Sequence, residues 1–399
     1  TFLDLPLKKF VSYTKINFNL MKRQIKLKIV GGSPRSFLLA FVLAKLNFDV
    51  YMYDFLSDSN YRRDDQIFFL SNYSKNLLTK FDIWNEIENI SYGITSLSIH
   101  DNLISEKLLI RTENISKTSL NTIGWTTNYS DLKNVFIKKL ISFENYHSLS
   151  KNQLIDKSLN FDYEFNFNSY DKALNFFKLP ISSFRKRNEQ ILFFNVYLRG
   201  QVERRLYEIN TSKGFLVLTP LSNNLYQIIW NNPPSTINER SLNSKSFFLD
   251  NLTTLLPQEF KIDQIIGDIN SLHFDNISSV FFIKNKSIYF NENKFKSNIL
   301  YDFNFDFFLR YIYQTYCFLE NNNKKSYFFL NKFYYLLKNY IVLKITIYFY
   351  CCFINLLSLN NKFLLIIRKL VFTFFNRINL LKMFIMTKFI NSNSNNLIK

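Results

Sequence analysis

Glycine is the residue that this sequence most clearly lacks, with 7 in 399 residues, where an average chain of this length holds roughly 28. Proteins that bind a nucleotide usually keep glycine where the backbone approaches a phosphate, because a Cβ there would collide with the ligand. The shortage therefore argues against a nucleotide site that has a full set of glycine turns.

Cysteine and histidine are also scarce, with three of each. Cys317, Cys351 and Cys352 have neither the spacing of a disulfide framework nor that of a metal site, which favours a reducing compartment. The three histidines are far apart in the sequence. We therefore predict no metal site.

Acidic residues are missing from the C-terminal part of the chain. Residues 321–399 contain 12 Lys or Arg and no Asp or Glu, within a chain of formal net charge +19. A basic, aromatic-rich tail predicts contact with an anionic membrane surface, or else a solvated face of helices that pack on the body. No nucleic-acid-binding motif accompanies the charge, so we expect no nucleic-acid partner.

One long apolar segment, residues 340–357, is a candidate membrane span, but it is short and contains Lys344. Buried or interfacial helices fit this segment at least as well. No signal peptide is evident, and residues 1–20 are expected to be an N-terminal extension before Met21. The predicted location is cytoplasmic, peripheral on the inner face of a membrane.

The most informative stretch is residues 26–54, KLKIVGGSPRSFLLAFVLAKLNFDVYMYD. It predicts a strand over 26–30, a turn at Gly31 and Gly32, a helix over 36–46 and a strand over 49–53 that ends at Asp54. This is the βαβ layout of a dinucleotide-binding fingerprint, in which an acid at the end of the second strand binds the ribose. In the pattern G-x-G-x-x-G, Ser33 and Ser36 replace the second and third glycines.

Further elements follow along the chain. A helix is predicted after Ser71, its N-cap, with Trp84 on the same apolar face, and another over residues 128–143 with capping residues Ser130 and Asp131. Strands are predicted over 96–100 and 107–111. Residues 190–230 contain a series of strands broken by turns, which predicts an antiparallel sheet, followed by a helix over 246–256 that Pro257 ends.

The order of these features resembles the flavin-dependent aromatic hydroxylases of ubiquinone biosynthesis, relatives of p-hydroxybenzoate hydroxylase. Three segments carry the resemblance. IVGGSPRSFLLAFVLAKLNFDVYMYD is similar to the family's opening strand, turn, helix and strand. IGWTTNYSDLKNVFIKKL is similar to the Gly-aromatic segment that leads into the helix beside the flavin, and GFLVLTPLSNNLYQIIW to the substrate-side sheet.

The resemblance implies an α/β fold with a Rossmann-like FAD-binding domain, an inserted antiparallel β-sheet substrate domain and a C-terminal helical region. The implied FAD-binding-like domain is discontinuous, over residues 21–175 and 275–325. The implied substrate domain covers residues 176–274, and the basic helical tail covers residues 326–399.

The resemblance also implies a function. FAD, with NAD(P)H or another reductant and O2, would hydroxylate a prenylated phenol or quinone precursor, and other quinone-pathway enzymes are expected partners. No catalytic residue is singled out. The implied cofactor-binding residues are Gly31, Gly32, Ser33, Ser36, Asp54, Gln66, Glu292 and Asn304.

Two flavin motifs of the family are altered in this chain. KALNFFKLP replaces a Gly-Ala-Asp-Gly turn, with Phe177 and Lys178 at the Asp-Gly positions, and the glycines and His of a third motif are absent near residue 292. Lys178 or Arg35 could attract a phosphate instead, with less geometric specificity. Two functions stay open: an FAD-dependent monooxygenase, and a catalytically inactive relative that acts as a scaffold in quinone biosynthesis.

Overall fold

The computed structural model describes residues 25–55, 67–111, 122–155, 159–167, 189–199, 204–231, 245–257, 260–274, 281–284, 287–290, 309, 312–313 and 362–378. Sixteen strands and seven helices are assigned in these ranges. The strands are β1 Lys26–Val30, β2 Asp49–Tyr53, β3 Ile67–Ser71, β4 Tyr92–Ile94, β5 Ser96–Asp101, β6 Glu106–Arg111, β7 Gly124–Asn128, β8 Tyr146–Ser148, β9 Tyr163–Asn166, β10 Glu189–Leu198, β11 Arg205–Thr211, β12 Gly214–Pro220, β13 Leu225–Asn231, β14 Ile262–Phe274, β15 Phe281–Lys284 and β16 Ser287–Phe290. The helices are α1 Pro34–Lys45, α2 Asn72–Lys80, α3 Trp84–Asn89, α4 Tyr129–Ile141, α5 Lys151–Ile155, α6 Lys245–Leu255 and α7 Lys362–Arg377.

The strands of the described part form three sheets. A six-stranded sheet has the order β15-β16-β9-β1-β2-β8 and is parallel from β16 to β8. A seven-stranded sheet has the order β14-β10-β13-β12-β11-β5-β6, and a small sheet has the order β3-β7-β4. The mixed α/β fold class is therefore as the sequence predicts.

The βαβ unit forms where the sequence predicts it. Strands β1 and β2 have the predicted bounds and pair in parallel. Helix α1 begins two residues before the predicted start, because Ser33 caps it and Pro34 occupies its first turn. This position suits proline, which has no N–H to lose there. Almost every side chain of α1 is buried, as an apolar helix requires.

The next two helices partly confirm the prediction. Ser71 caps α2 by accepting the Ser74 N–H at 3.2 Å. Trp84, however, does not belong to α2, because the chain leaves the helix at Phe81 and turns at Asp82, whose φ is 59°. Trp84 begins the separate helix α3. The prediction of one helix that included Trp84 was wrong.

Helix α4 begins at Tyr129, and Asn128 occupies its N-cap without a side-chain capping hydrogen bond. The predicted capping residues Ser130 and Asp131 therefore lie inside the first turn. Asn128 Nδ2 donates to Asp131 Oδ2 at 3.0 Å. Helices α1 and α4 share one hydrophobic core on a face of the parallel sheet.

The predicted strands of residues 190–230 form antiparallel pairs, as expected. The hairpin β5–β6 joins the same sheet through a parallel pairing of β5 with β11, which the strand pattern did not predict. The domain boundaries at residues 175 and 274 stay a prediction. The seven-stranded sheet contains β10 to β14 of the predicted substrate domain and also residues 96–111, which the prediction places in the FAD-binding-like domain.

Helix α7 lies in the predicted helical tail and packs against β6. Its Arg368 forms an ion pair with Asp101 of β5, and both side chains are buried. Residues 340–357, the candidate span, lie outside the described residues. Among the described residues, no helix has the length and apolar character needed to cross a membrane.

Candidate functional site

The predicted cofactor residues near the start of the chain gather at one edge of the parallel sheet. Val30 is in register with Tyr53 of β2 and with Asn166 of β9, so these three strands end together. The residues that follow them are Gly31, Asp54 and Phe167. Ligands of open parallel sheets bind at this carboxyl edge.

The turn after β1 is closely packed. A Cβ on Gly31 would lie 2.5 Å from Ser36 Cβ and 3.1 Å from Phe167 Cβ. The backbone is held from two sides, because Gly31 N donates to Tyr53 O at 2.9 Å and Phe167 N donates to Val30 O at 2.7 Å. Glycine at this position therefore lets Ser36 and Phe167 close on the turn.

Ser33 and Ser36, which replace two fingerprint glycines, form hydrogen bonds with each other at the start of α1. The Ser36 N–H donates to Ser33 Oγ at 3.3 Å, and Ser36 Oγ donates to the Ser33 carbonyl oxygen at 2.7 Å. Ser33 has φ −88° and ψ 158°, which any L-residue adopts. The conformation of the second fingerprint position therefore does not require glycine.

Two aromatic rings and one cationic side chain lie beside the turn. The Arg35 guanidinium lies 5.6 Å from the centre of the Phe68 ring, which stacks on Tyr129 at 5.6 Å. The Tyr129 hydroxyl donates to Gly32 O at 3.4 Å. Arg35 is buried in the first turn of α1. A buried cation beside a helix N-terminus favours an anionic group.

The acid that ends the second strand has a lysine partner. Lys133 Nζ lies 2.6 Å from Asp54 Oδ2, and both side chains are mostly shielded from solvent. Lys133 Nζ also lies 5.2 Å from the centre of the Phe37 ring. Burial and the charge of Asp54 raise the pKa of Tyr146 to about 12. A ribose hydroxyl at Asp54 would therefore share the carboxylate with Lys133.

Five of the eight predicted cofactor residues, Gly31, Gly32, Ser33, Ser36 and Asp54, thus lie around one turn and strand end. The other three predicted residues lie outside the described residues: Gln66, Glu292 and Asn304. Sequence reasoning did not single out Tyr129, Lys133 or Phe167. The resemblance did assign the helix that begins at Tyr129 to the flavin side, which was the available signal for Tyr129 and Lys133.

A second candidate surface lies on the seven-stranded sheet. One face of this sheet is apolar over much of its area and packs against the small sheet and α7. Three neighbouring strands place Asn195, Gln227 and Thr219 in register on that face. Gln227 Nε2 donates to Asn195 Oδ1 at 3.2 Å. A few polar groups on an apolar wall are typical of sites for small organic ligands.

Strand β7 connects the two surfaces. Thr126 Oγ1 donates to the Pro220 carbonyl at 2.6 Å, next to Thr219. Three residues later along the chain, Tyr129 contacts Gly32. Three residues of extended chain span about 10 Å. Residues of one short segment, Thr126 and Tyr129, thus contact the strand that carries Thr219 and the glycine turn. Among the described residues, no group of three His, Cys, Asp or Glu could hold a metal ion.

The fold is that of FAD-dependent monooxygenases of the p-hydroxybenzoate hydroxylase type. It matches p-nitrophenol 4-monooxygenase PnpA from Pseudomonas putida with a TM-score of 0.62 and 10% identity, over 92% of this chain and 97% of that one. It matches PqsL, a probable FAD-dependent monooxygenase from Pseudomonas aeruginosa, with a TM-score of 0.54 and 12% identity, over 76% and 88% of the two chains.

The flavin-dependent brominase Bmp2 matches with a TM-score of 0.53 and 11% identity, over 92% of this chain and 99% of that one. At these identities the likeness concerns the fold alone. No protein-family model and no curated protein matches the sequence.

The described residues fit the phosphate part of a dinucleotide by backbone conformation and charge. The turn at Gly31 is tight, Ser33 is relaxed, and Arg35 supplies a buried positive charge. The fit is not complete, because Pro34 has no N–H and the Ser36 N–H donates to Ser33 Oγ. Arg35 offsets part of this loss through its charge.

Proposed function

We propose that this chain is a flavin-dependent monooxygenase-like protein that binds FAD and hydroxylates a prenylated phenol or quinone precursor, with NAD(P)H and O2 as co-substrates. The proposal rests most directly on the glycine turn and Asp54, which end neighbouring strands of a sheet within a flavin-monooxygenase fold. The quinone pathway comes from the sequence resemblance to ubiquinone-biosynthesis hydroxylases.

In this proposal the N-terminus of α1, with the turn at Gly31 and the charge of Arg35, holds the diphosphate. Asp54 accepts a hydrogen bond from the ribose while Lys133 fixes the orientation of the carboxylate. FAD, when bound, would supply the redox chemistry, which is hydride uptake from NAD(P)H and activation of O2. The protein contributes position, charge and exclusion of water.

The proposed substrate surface is the part of the apolar face of the seven-stranded sheet around Asn195, Gln227 and Thr219. Its apolar side chains would exclude water from a prenylated ring, and Asn195 and Gln227 could orient a ring hydroxyl by hydrogen bonds. A prenylated substrate partitions into lipid. We therefore include a membrane surface on the cytoplasmic side, and other quinone-pathway enzymes, as proposed partners.

The alternative is a catalytically inactive relative that serves as a scaffold in quinone biosynthesis. Two observations favour it: Lys133 already engages Asp54, and Ser33 and Ser36 use hydrogen bonds within the turn. A scaffold needs the fold but not the cofactor.

Flavin content separates these two functions. The full chain, purified and incubated with FAD, is expected to retain stoichiometric FAD, seen as a visible flavin absorbance band and identified by chromatography after denaturation. Asp54→Asn is the matched variant and should retain less. A folded chain that holds no FAD after reconstitution would exclude the enzyme and favour the scaffold.

The substrate class needs a second measurement. The FAD-loaded chain is supplied with NADH or NADPH and with a phenol that carries an isoprenoid chain, alongside the same phenol without the chain. We expect O2 consumption coupled to addition of one oxygen atom to the ring, and faster turnover of the prenylated phenol. Equal rates for both phenols would contradict the proposed preference for a prenylated substrate.

A further inference from the structure

Helix α7 has an apolar outer face. Four large apolar side chains of this helix are largely exposed: Phe363 68%, Ile366 61%, Leu370 65% and Phe374 55%. Their spacing of three and four residues places them in one stripe along the helix, which we call the α7 stripe. Soluble monomers rarely expose a contiguous apolar surface of this kind unless it binds a partner.

The opposite face fixes the orientation of the helix. Arg368 is 1% exposed and pairs with Asp101, which is 0% exposed, and Arg368 Nε donates to Asp101 Oδ2 at 2.9 Å. Phe372 is buried against the seven-stranded sheet, and Asn376 Nδ2 donates to Lys107 O at 3.0 Å. Rotation of the stripe toward the protein would break a buried ion pair, which is costly. Within the described part of the chain, the stripe therefore faces away from the seven-stranded sheet.

All the charged side chains of α7 are positive. Lys362, Lys369 and Arg377 are exposed on the same helix, and residues 321–399 contain no Asp or Glu. An apolar face flanked by Lys and Arg is typical of helices that lie in the interface of an anionic bilayer. Sixteen residues of helix are about 24 Å long, and the helix would lie along the membrane surface.

A second copy of the chain is a poorer occupant. Two-fold pairing of antiparallel α7 helices would bring Lys362 of one copy near Arg377 of the other, and the two Lys369 side chains near each other. Like charges in contact oppose such pairing, and α7 has no acidic residue to offset them. Anionic lipid headgroups, in contrast, complement all three cations.

We propose that the α7 stripe docks on an anionic membrane surface, with its apolar side chains inserted at the level of the headgroups and Lys362, Lys369 and Arg377 against lipid phosphates. This proposal names the part of the chain that makes the membrane contact proposed above. It rests on the proposed function only for the choice of a membrane as the partner. It does not require FAD, and flavin content is therefore an independent measurement.

Vesicle flotation of the full chain tests the proposal. We expect wild type to float with vesicles of phosphatidylcholine and phosphatidylglycerol, much less with phosphatidylcholine alone, and less as salt is added. Ile366→Ser/Leu370→Ser should weaken binding roughly tenfold or more, because two apolar side chains lose their burial in lipid. Lys369→Gln/Arg377→Gln should weaken binding only to the anionic vesicles.

Ile141→Ser is the matched control, because Ile141 is 70% exposed on α4, outside the α7 stripe. It should bind vesicles like wild type. Equal binding by the stripe variant would overturn the proposal. So would a wild-type dimer, seen by light scattering, that the stripe variant dissociates without any change in flotation.

A marked loss of thermal stability in the stripe variant, with no loss of vesicle binding, would likewise overturn the proposal, because it would mean that the chain itself covers the stripe. Vesicle binding by a chain without FAD would support the docking proposal even if the flavin proposal fails.

Discussion

Lys133 of α4 and Asp54 at the end of β2 form an ion pair, with Nζ 2.6 Å from Oδ2. The pair ties the helix that begins at Tyr129 to the edge where the glycine turn lies. The Asp54 carboxylate thus pairs with Lys133 and is also the predicted acceptor of a hydrogen bond from a ribose. Substitution of Asp54 and of Lys133 separates these two roles.

Asp54→Asn and Lys133→Gln each remove one charge of this pair. We expect each to lower the free energy of unfolding by about 1–3 kcal/mol, because the pair is mostly shielded from solvent and each substitution leaves one charge without its partner. Only Asp54→Asn should also weaken FAD binding, by roughly tenfold, the value of one hydrogen bond to a charged group. Denaturant unfolding and flavin fluorescence titration measure the two effects. Equal FAD affinity for both variants and wild type would remove Asp54 from the proposed ribose contact.

Gly31→Ala tests the packing of the turn. The added Cβ would lie 2.5 Å from Ser36 Cβ and 3.1 Å from Phe167 Cβ, and a Cβ atom can move only together with its own backbone. Overpacking of this kind typically costs about 1–3 kcal/mol. The second variant, Gly31→Ala/Ser36→Gly, removes the atoms that collide and should recover part of the stability. Thermal unfolding of both variants, with Ser36→Gly alone as the control, checks this. A single Gly31→Ala variant as stable as wild type would contradict the tight turn.

Tyr146 should make stability fall at high pH. Its pKa is raised from 10.0 to about 12, first by burial and then by the charge of Asp54. Between these two values the unfolded chain loses the phenol proton while the folded chain keeps it. The free energy of unfolding therefore falls as pH rises from 10 to about 12. The stability that Tyr146 provides as a protonated phenol is fully present below pH 10. Urea midpoints of wild type and Tyr146→Phe, compared from pH 9 to pH 12, should show a smaller decrease in the variant. Parallel curves would exclude Tyr146 as the cause.

Breaking the buried ion pair between Arg368 of α7 and Asp101 is expected to cause a large loss of stability. Arg368→Met leaves Asp101 charged and buried, which should cost roughly 3–5 kcal/mol. In Arg368→Met/Asp101→Leu no charge remains, and we expect the double variant to be more stable than Arg368→Met. Denaturant unfolding of the complete double-mutant cycle measures the coupling. Glu88→Gln, which breaks the partly exposed pair with Lys75, is the control and should lose less than about 1 kcal/mol. Additive losses in the cycle would contradict a direct interaction.

Local sequence signals predicted the βαβ unit well, because its elements depend on neighbours in the chain. Alternation and turn residues indicate β1 and β2, and Ser33 with Pro34 starts α1 within two residues of the predicted position. The wrong prediction that Trp84 belongs to α2 also has a local cause. The apolar spacing continued past Asp82, whereas the backbone there adopts a positive φ that ends α2.

Contacts between distant residues could not be predicted in the same way. Lys133 is 79 residues from Asp54, and its charge alone gives no sign of this partner. Strand β9 has four residues with no strong alternation, yet it lies beside β1 and contributes the edge at Phe167. The pairing of β5 with β11 likewise depends on tertiary structure. The structure brings the five predicted residues near β1 and β2 together, and their role in binding a cofactor stays a prediction.

The pairing order of the strands has a consequence for how the chain folds. Strand β1 has β2 on one side and β9 on the other, and β9 has β16 as its outer neighbour. The seven-stranded sheet similarly unites β5 and β6 with strands that begin near residue 189. On a ribosome that adds about 5–20 residues per second, the first strands would wait on the order of ten seconds or more for these partners. Such non-local pairing slows folding and leaves strand edges exposed in the meantime. The nascent chain is therefore expected to depend on chaperones more than a protein whose sheets are built from consecutive strands.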